Sequence, residues 1–347
     1  MKNKRFNKIA KLLLSIMLII SLTGCGGKVF LTTGLDADQL LKVSGQVVPM
    51  SLARLILATE VLNYTEEFGE EIWNVQVEGD NLSEKLKSTI KQQLAELKTI
   101  SMLANQKNIK LTNGEKEKLD KAAKEFFSQL SEEEIASLAI TEQDVYTLYE
   151  YFLLSEKIYN LVTDAVDIEV SDEEARVIRV QYCFVRNYYL DESNNKVILT
   201  GDGKIAAENR IAEAYQKMIQ GNDFTVIAKQ YSDDTVYEYE FGRGQMETTF
   251  EETAYSLENG ETSEIIECEN GYYIIKCIED YVELKTEENK TALLQQYKTE
   301  EFLKLYEPFL KNQTYEYNDK EYEKINIADL KLEHNNLYKI YSQYVEE

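Results

Sequence analysis

The strongest constraint on the fold is a change of hydrophobic pattern at residue 177. Before it, apolar residues recur every three or four positions. From there Val177-Ile178-Arg179-Val180-Gln181-Tyr182-Cys183-Phe184-Val185 runs rich in β-branched and aromatic residues and reads as a strand. About one hundred residues on, Asn270-Gly271 is flanked by Ser263-Glu264-Ile265-Ile266-Glu267-Cys268 and by Tyr272-Tyr273-Ile274-Ile275-Lys276-Cys277-Ile278, a hairpin signal. Between them lie a polar loop with Asn194-Asn195, a helical stretch over 204–219, and a break at Gly221-Asn222-Asp223. There Asp223 can cap a short helix over 224–230. The turn Ser232-Asp233-Asp234, the irregular Phe241-Gly242-Arg243-Gly244-Gln245-Met246 and a short helix over 249–257 complete the unit. A small mixed unit is thus set inside helical sequence, an α+β organisation.

The flanks read as helices. An extended segment over 41–48, interrupted by Gly45, leads through Pro49 into a helix over 50–68. In the next, over 83–107, Leu86, Ile90, Leu94, Leu97, Ile100 and Leu103 fall on one face. Thr112-Asn113-Gly114-Glu115, Ser131-Glu132-Glu133-Glu134 and Ser171-Asp172-Glu173-Glu174 match the capping-box pattern. A further helix covers 142–166, and 284–313 reads as one long helix containing Pro308. The tail is aromatic, with Tyr315, Tyr317, Tyr322, Tyr338, Tyr341 and Tyr344. A chain with 15 Gly and 2 Pro in 347 residues suits long helices.

Residues 1–24 carry five basic residues, no acidic one, and an apolar run over 12–20, as a signal peptide does. They end in Leu22-Thr23-Gly24-Cys25, which resembles the lipobox of bacterial lipoproteins. That resemblance implies export, lipid modification of Cys25, and attachment to the extracytoplasmic face of the cell membrane, with 25–38 as a tether. Removing 1–24 takes the net charge from −24 to −29, since five positive charges leave with it. Such a surface repels phosphate backbones and anionic head groups, which excludes a nucleic-acid partner and leaves membrane attachment to the anchor. Cys183, Cys268 and Cys277 all lie in strand-like segments and read as small buried apolar residues. The one histidine, His334, sits in a polar stretch and reads as a surface residue. Histidine-dependent triads and two-histidine zinc sites are therefore excluded, and neither metal nor cofactor is expected.

Gly221-Asn222-Asp223-Phe224, Ile227-Ala228-Lys229-Gln230-Tyr231-Ser232-Asp233-Asp234, the 241–246 segment, Phe250-Glu251-Glu252-Thr253-Ala254-Tyr255-Ser256-Leu257 and Asn270-Gly271-Tyr272-Tyr273-Ile274-Ile275-Lys276 occur in the order found in parvulin-type peptidyl-prolyl isomerases. Residues 176–281 resemble that domain. The lipobox and the helical flanks, 39–175 and 282–347, are similar to the PrsA and SurA group of exported foldases. The resemblance implies a helical chaperone-like region around an inserted small antiparallel sheet flanked by helices, with the C-terminal segment packing on the N-terminal helices. It implies isomerisation of X–Pro bonds in unfolded exported proteins. It places Met246 and Phe250 in the proline pocket and Asp234 at the position where parvulins carry a catalytic Asp or Cys facing the amide. Tyr182 and Tyr273 stand where parvulins usually carry histidines, and the usual Gly-Gly-Asp-Leu-Gly segment is replaced by Val236-Tyr237-Glu238-Tyr239-Glu240. A non-catalytic holdase with a degenerate parvulin unit is the alternative. A solute-binding lipoprotein does not fit, because the alternating strands and helices of an α/β binding domain are missing.

Overall fold

The computed structural model describes residues 28–30, 34–77, 79–334 and 336–345. The leader and Cys25 lie outside them. Strand β1 (Lys28–Phe30) precedes the hairpin β2 (Gln39–Val43) and β3 (Gln46–Pro49), and helix α1 (Met50–Phe68) follows directly. The hairpin turns at Ser44 and Gly45, both at positive φ. Two-residue strands β4 (Gln76–Val77) and β5 (Asp80–Asn81) lead into α2 (Leu82–Gln106), α3 (Asn113–Ser128), α4 (Glu132–Leu138) and α5 (Glu142–Asp164). All six apolar residues expected on one face of α2 are buried. Thr112 and Ser131 complete their capping boxes with Glu115 and Glu134, and Thr141 forms another with Asp144.

A short helix α6 (Asp172–Ala175) opens the mixed unit. It continues with β6 (Val177–Arg186), β7 (Tyr188–Leu190), β8 (Lys196–Ile198), α7 (Asp202–Ile219), α8 (Phe224–Tyr231), β9 (Glu238–Gly242), α9 (Thr248–Ser256), β10 (Ile266–Cys268) and β11 (Gly271–Glu279). Helix α10 (Glu283–Leu310) contains Pro308 and leads to β12 (Thr314–Tyr317), α11 (Asp319–Tyr322) and α12 (Leu337–Val345).

The chain forms two compact units, one of them Ile168–Tyr297. This unit reaches beyond the 176–281 expected from sequence, and its C-terminal flank is tied both to β6 and to the short helix before it. Val282 N–H donates to the Val177 carbonyl (2.8 Å), Val177 N–H to Thr286 Oγ1 (3.1 Å), and Asn289 Nδ2 to the Ala175 carbonyl (2.9 Å). Its sheet has the order β10-β11-β6-β9, every neighbouring pair antiparallel. Strand alternation in β6 splits the core in two. Ile178, Val180, Tyr182 and Phe184 pack on one face with Phe241, Phe250 and Tyr255, whereas Cys183 and Val185 pack on the other against residues of α7 and α8. The three cysteines of the unit are free and buried.

The other unit joins the N-terminal helices to the tail. Strand β12 lies between β1, to which it is parallel, and β2, to which it is antiparallel. Residues 28–30, expected to belong to a tether, are thus a paired strand. Tyr315, Tyr322 and Tyr341 are buried, and Tyr317, Tyr338 and Tyr344 pack against the same core. Several of their hydroxyls find partners across the chain, as buried phenols generally do: Tyr315 with Thr99 Oγ1 (2.7 Å), Tyr322 with the Lys87 carbonyl (2.8 Å) and Tyr344 with Glu125 (2.7 Å). These tyrosines are core and not the lining of an open cleft.

Two outcomes follow from these contacts. A Cβ on Gly271 would stand 2.2 Å from the Val185 carbonyl oxygen and 2.8 Å from Arg186 Cα. Backbone cannot yield as a side chain does, so Gly271→Ala should lower stability by about 3 kcal/mol, read as a lower urea midpoint for the mixed unit. Half-buried Glu96 on α2 has its carboxyl pushed up to about 8 by burial. The folded chain then keeps a proton that the unfolded chain has lost, so stability falls as pH rises from the ordinary carboxylate range through 8. Glu96→Gln should raise the urea midpoint at about pH 9 and change it little at about pH 5.

Candidate active site

The site is assembled on β6 and β11. Their register sets Ile275 opposite Tyr182 and Tyr273 opposite Phe184, so Tyr182 and Tyr273 are diagonal neighbours on one face. Their ring centroids are 6.0 Å apart. Helix α9 lays Phe250 across this face, edge-on to Tyr182 (centroids 6.0 Å, 86°) and to Tyr273 (5.2 Å, 78°). Phe250 is 2% exposed and is also backed by Phe241 from β9 (5.9 Å). Met246 packs half-buried against the same cluster. The structure therefore brings Tyr182, Tyr273, Met246 and Phe250 together in one aromatic basin.

Asp234 reaches it from the turn after α8. The residue is exposed to solvent, yet Oδ2 accepts a hydrogen bond from the Tyr182 hydroxyl at 2.9 Å. Burial raises the Tyr182 phenol above its ordinary value, and the hydrogen bond and charge of Asp234 add to the rise. Tyr273 is raised first by burial, then by the neighbouring Cys268, Glu247 and Asp234. Both phenols stay neutral at physiological pH, so each offers one O–H donor and an acceptor oxygen and no titrating proton. Burial likewise pushes the Cys268 thiol, beneath the cluster, up to about 11, which keeps it from acting as a nucleophile at neutral pH. The arrangement is an apolar basin with one carboxylate at its edge, suited to gripping an apolar ring and imposing charge on a group beside it.

Sequence reasoning passed over several members. Phe184 stacks on Tyr273 at 4.6 Å and 23°, and the strand alternation that pairs it with Tyr182 could have found it. Phe241 walls the basin behind Phe250, and Tyr255 closes the far side, its hydroxyl donating to the Arg176 carbonyl (2.6 Å).

This fold and basin define a parvulin-type rotamase domain. The family of PPIC-type peptidyl-prolyl isomerase domains matches residues 194–279. The chain is 28% identical over 278 residues to foldase protein PrsA of Caldanaerobacter subterraneus subsp. tengcongensis, covering 78% of this chain and 81% of that protein. It is 37% identical over 123 residues to foldase protein PrsA 3 of Bacillus anthracis, covering 34% and 41%. Among solved structures it aligns with peptidylprolyl isomerase PrsA from Bacillus cereus at a TM-score of 0.35 and 21% identity, over 78% of this chain and 97% of that one. Residues 194–279 thus carry a PPIC-type peptidyl-prolyl isomerase domain, and the chain as a whole is similar to curated PrsA foldases.

The raised phenols give a sign for alkaline stability. Tyr182 and Tyr273 keep their protons in the folded chain at pH values where the unfolded chain ionises, so their contribution is complete below about pH 10 and lost as pH climbs beyond it. Tyr182→Phe removes one such group. The fall in urea midpoint between about pH 9.5 and 11 should be shallower in the variant than in the parent.

Proposed function

We propose that this chain is an exported, lipid-anchored foldase whose parvulin unit accelerates cis–trans isomerisation of X–Pro bonds in unfolded or partly folded exported proteins. The observation that carries this reading is the Asp234 carboxylate held 2.9 Å from the Tyr182 hydroxyl at the edge of a basin floored by Phe250. Membrane attachment rests on Cys25 and its lipobox, and the tethered protein would work at the extracytoplasmic face.

The chemistry needs little from the protein. Rotation about X–Pro is slow because amide resonance puts partial double-bond character on C–N and partial negative charge on oxygen. Rotation breaks no covalent bond, so catalysis reduces to favouring the twisted amide over the planar one. In this reading the pyrrolidine ring sits on Phe250 and Met246, walled by Tyr182 and Tyr273, and the carbonyl faces Asp234. The negative carboxylate opposes charge on the carbonyl oxygen, which weakens the resonance form that resists rotation. Two unit charges 4 Å apart interact by about 4 kcal/mol at an effective dielectric near 20. A fraction of that suffices for the roughly 2.7 kcal/mol that a hundredfold acceleration requires.

A proline-peptide isomerisation assay on the full chain tests this. Phe250→Ala and Met246→Ala should each lower kcat/KM, Phe250→Ala by about 100-fold, with circular dichroism confirming that the variants fold. Isomerisation no faster than the uncatalysed rate in the parent protein would remove the enzyme reading. If the parent then still suppressed aggregation of an unfolded protein, and did so equally with Phe250→Ala, the chain would be a holdase.

A further inference from the structure

The residue next to the candidate catalytic carboxylate is held more firmly than the carboxylate itself. Asp233 Oδ2 accepts the Arg186 backbone N–H at 2.9 Å, and Oδ1 accepts Arg210 Nη1 at 2.8 Å. Arg186 Nε stands 3.5 Å away from the same group, whose side chain is 17% exposed. The Asp233 main chain is also tied: its N–H donates to the Phe184 carbonyl (2.7 Å), and its carbonyl accepts Arg186 Nη2 (3.2 Å). Ser232 Oγ accepts the Phe184 and Asp234 N–H groups, each at 3.2 Å. Arg210, from α7, also donates to the Tyr231 carbonyl at the end of α8.

Apart from the Ser232–Asp234 bond inside the turn, these bonds run from the turn to Phe184 and Arg186, or to the arginine that bridges α7 and α8. Tyr182 lies on the same strand, two residues before Phe184. A turn fixed at 184 and 186 leaves Asp234 little freedom except to meet the Tyr182 hydroxyl. Asp234 itself makes one bond to the basin and a local one to Thr235 N–H (3.0 Å), neither able to set the course of the loop. An ordinary surface turn needs no partly buried carboxylate between two guanidinium groups, since surface ion pairs stabilise little.

Resting on the isomerase reading above, we propose that Asp233 is the positioning residue of the site: with Arg210 and Arg186 it clamps the turn to β6 and thereby fixes Asp234 against Tyr182. Asp233 touches no substrate in this scheme and acts through Asp234. Catalysis that depends on one charge facing one carbonyl is sensitive to displacements of about 1 Å, so a loosened clamp lowers turnover more than affinity.

The test separates positioning from general stability. In the full chain, Asp233→Asn should lower kcat about 10-fold with KM changed less than about 2-fold, and Arg210→Gln should do the same. In an Asp234→Ala background, Asp233→Asn should have less than about a 2-fold further effect, because the residue it positions is gone. A second readout needs no turnover. The tyrosine ring carbon bearing the hydroxyl, labelled with carbon-13 and assigned with Tyr182→Phe, should shift in Asp233→Asn and Arg210→Gln toward its position in Asp234→Ala. The proposal is overturned if the 10-fold loss persists in the Asp234→Ala background, or if the Tyr182 signal stays at the parent position in a folded variant. A parent protein that does not isomerise would sink the enzyme reading alone, and the Tyr182 signal would still decide whether Asp233 holds Asp234.

Discussion

The pairing of β6 with β11 is the interaction on which the mixed unit depends. Residues from Arg179 to Arg186 face residues from Gly271 to Glu279 in one antiparallel ladder, with a single irregularity between Cys277 and Glu279. Because side chains alternate across a strand, this ladder supplies both cores at once: Tyr182 and Phe184 to the basin, Cys183 and Val185 to the layer under α7 and α8. A slip of one residue would exchange the two sets and dismantle the site. Gly271 pins the register, since the backbone of Val185 and Arg186 comes too close for any side chain at that position.

The helical unit is held by a different device. Its tail returns as β12 beside β2, with Tyr315 opposite Val43 and Tyr317 opposite Leu41, more than 270 residues away in sequence. Tyrosine suits this closure because its ring fills the core while its hydroxyl meets a polar group left inside, such as the Lys87 carbonyl or Thr99. Tyr341 packs against both Tyr149 (5.3 Å) and Phe152 (5.6 Å), and the Tyr149 hydroxyl donates to the Leu337 carbonyl (2.8 Å). At Tyr315, Tyr322 and Tyr344 the aromatic tail thus combines packing with a hydrogen bond.

What was legible in the sequence follows from the range of each interaction. Helices with a repeating apolar face, such as α2, and ends marked by Thr112 or Ser131, show themselves because the partners lie within four residues. The Asn270-Gly271 hairpin is local too. The resemblance to parvulins pointed to Tyr182, Tyr273, Asp234, Met246 and Phe250, and the structure sets these side chains beside one another. Strands β1 and β12 were not legible: each has four residues or fewer, and each exists because of a partner far away in the chain. Asp233 read as a turn residue for the same reason. Its partners Arg186 and Arg210 lie 47 and 23 residues distant, and nothing in Ser232-Asp233-Asp234 announces them.

The two tyrosines in place of the customary histidines bear on what such a site requires. A histidine near neutrality brings hydrogen-bonding atoms and a titrating proton. Tyr182 and Tyr273 keep the first and lack the second, since burial holds both phenols neutral. Isomerisation transfers no proton and forms no bond, so a proton switch contributes nothing to the step itself. What the step needs is an apolar seat and a charge fixed in direction. In the proposed reading Phe250 and Met246 supply the seat, and the Tyr182 hydroxyl, by donating to Asp234, orients the charge without changing it. On that reading, tyrosine in place of histidine takes a titrating proton from the site near neutrality and leaves the Asp234 carboxylate hydrogen-bonded in place.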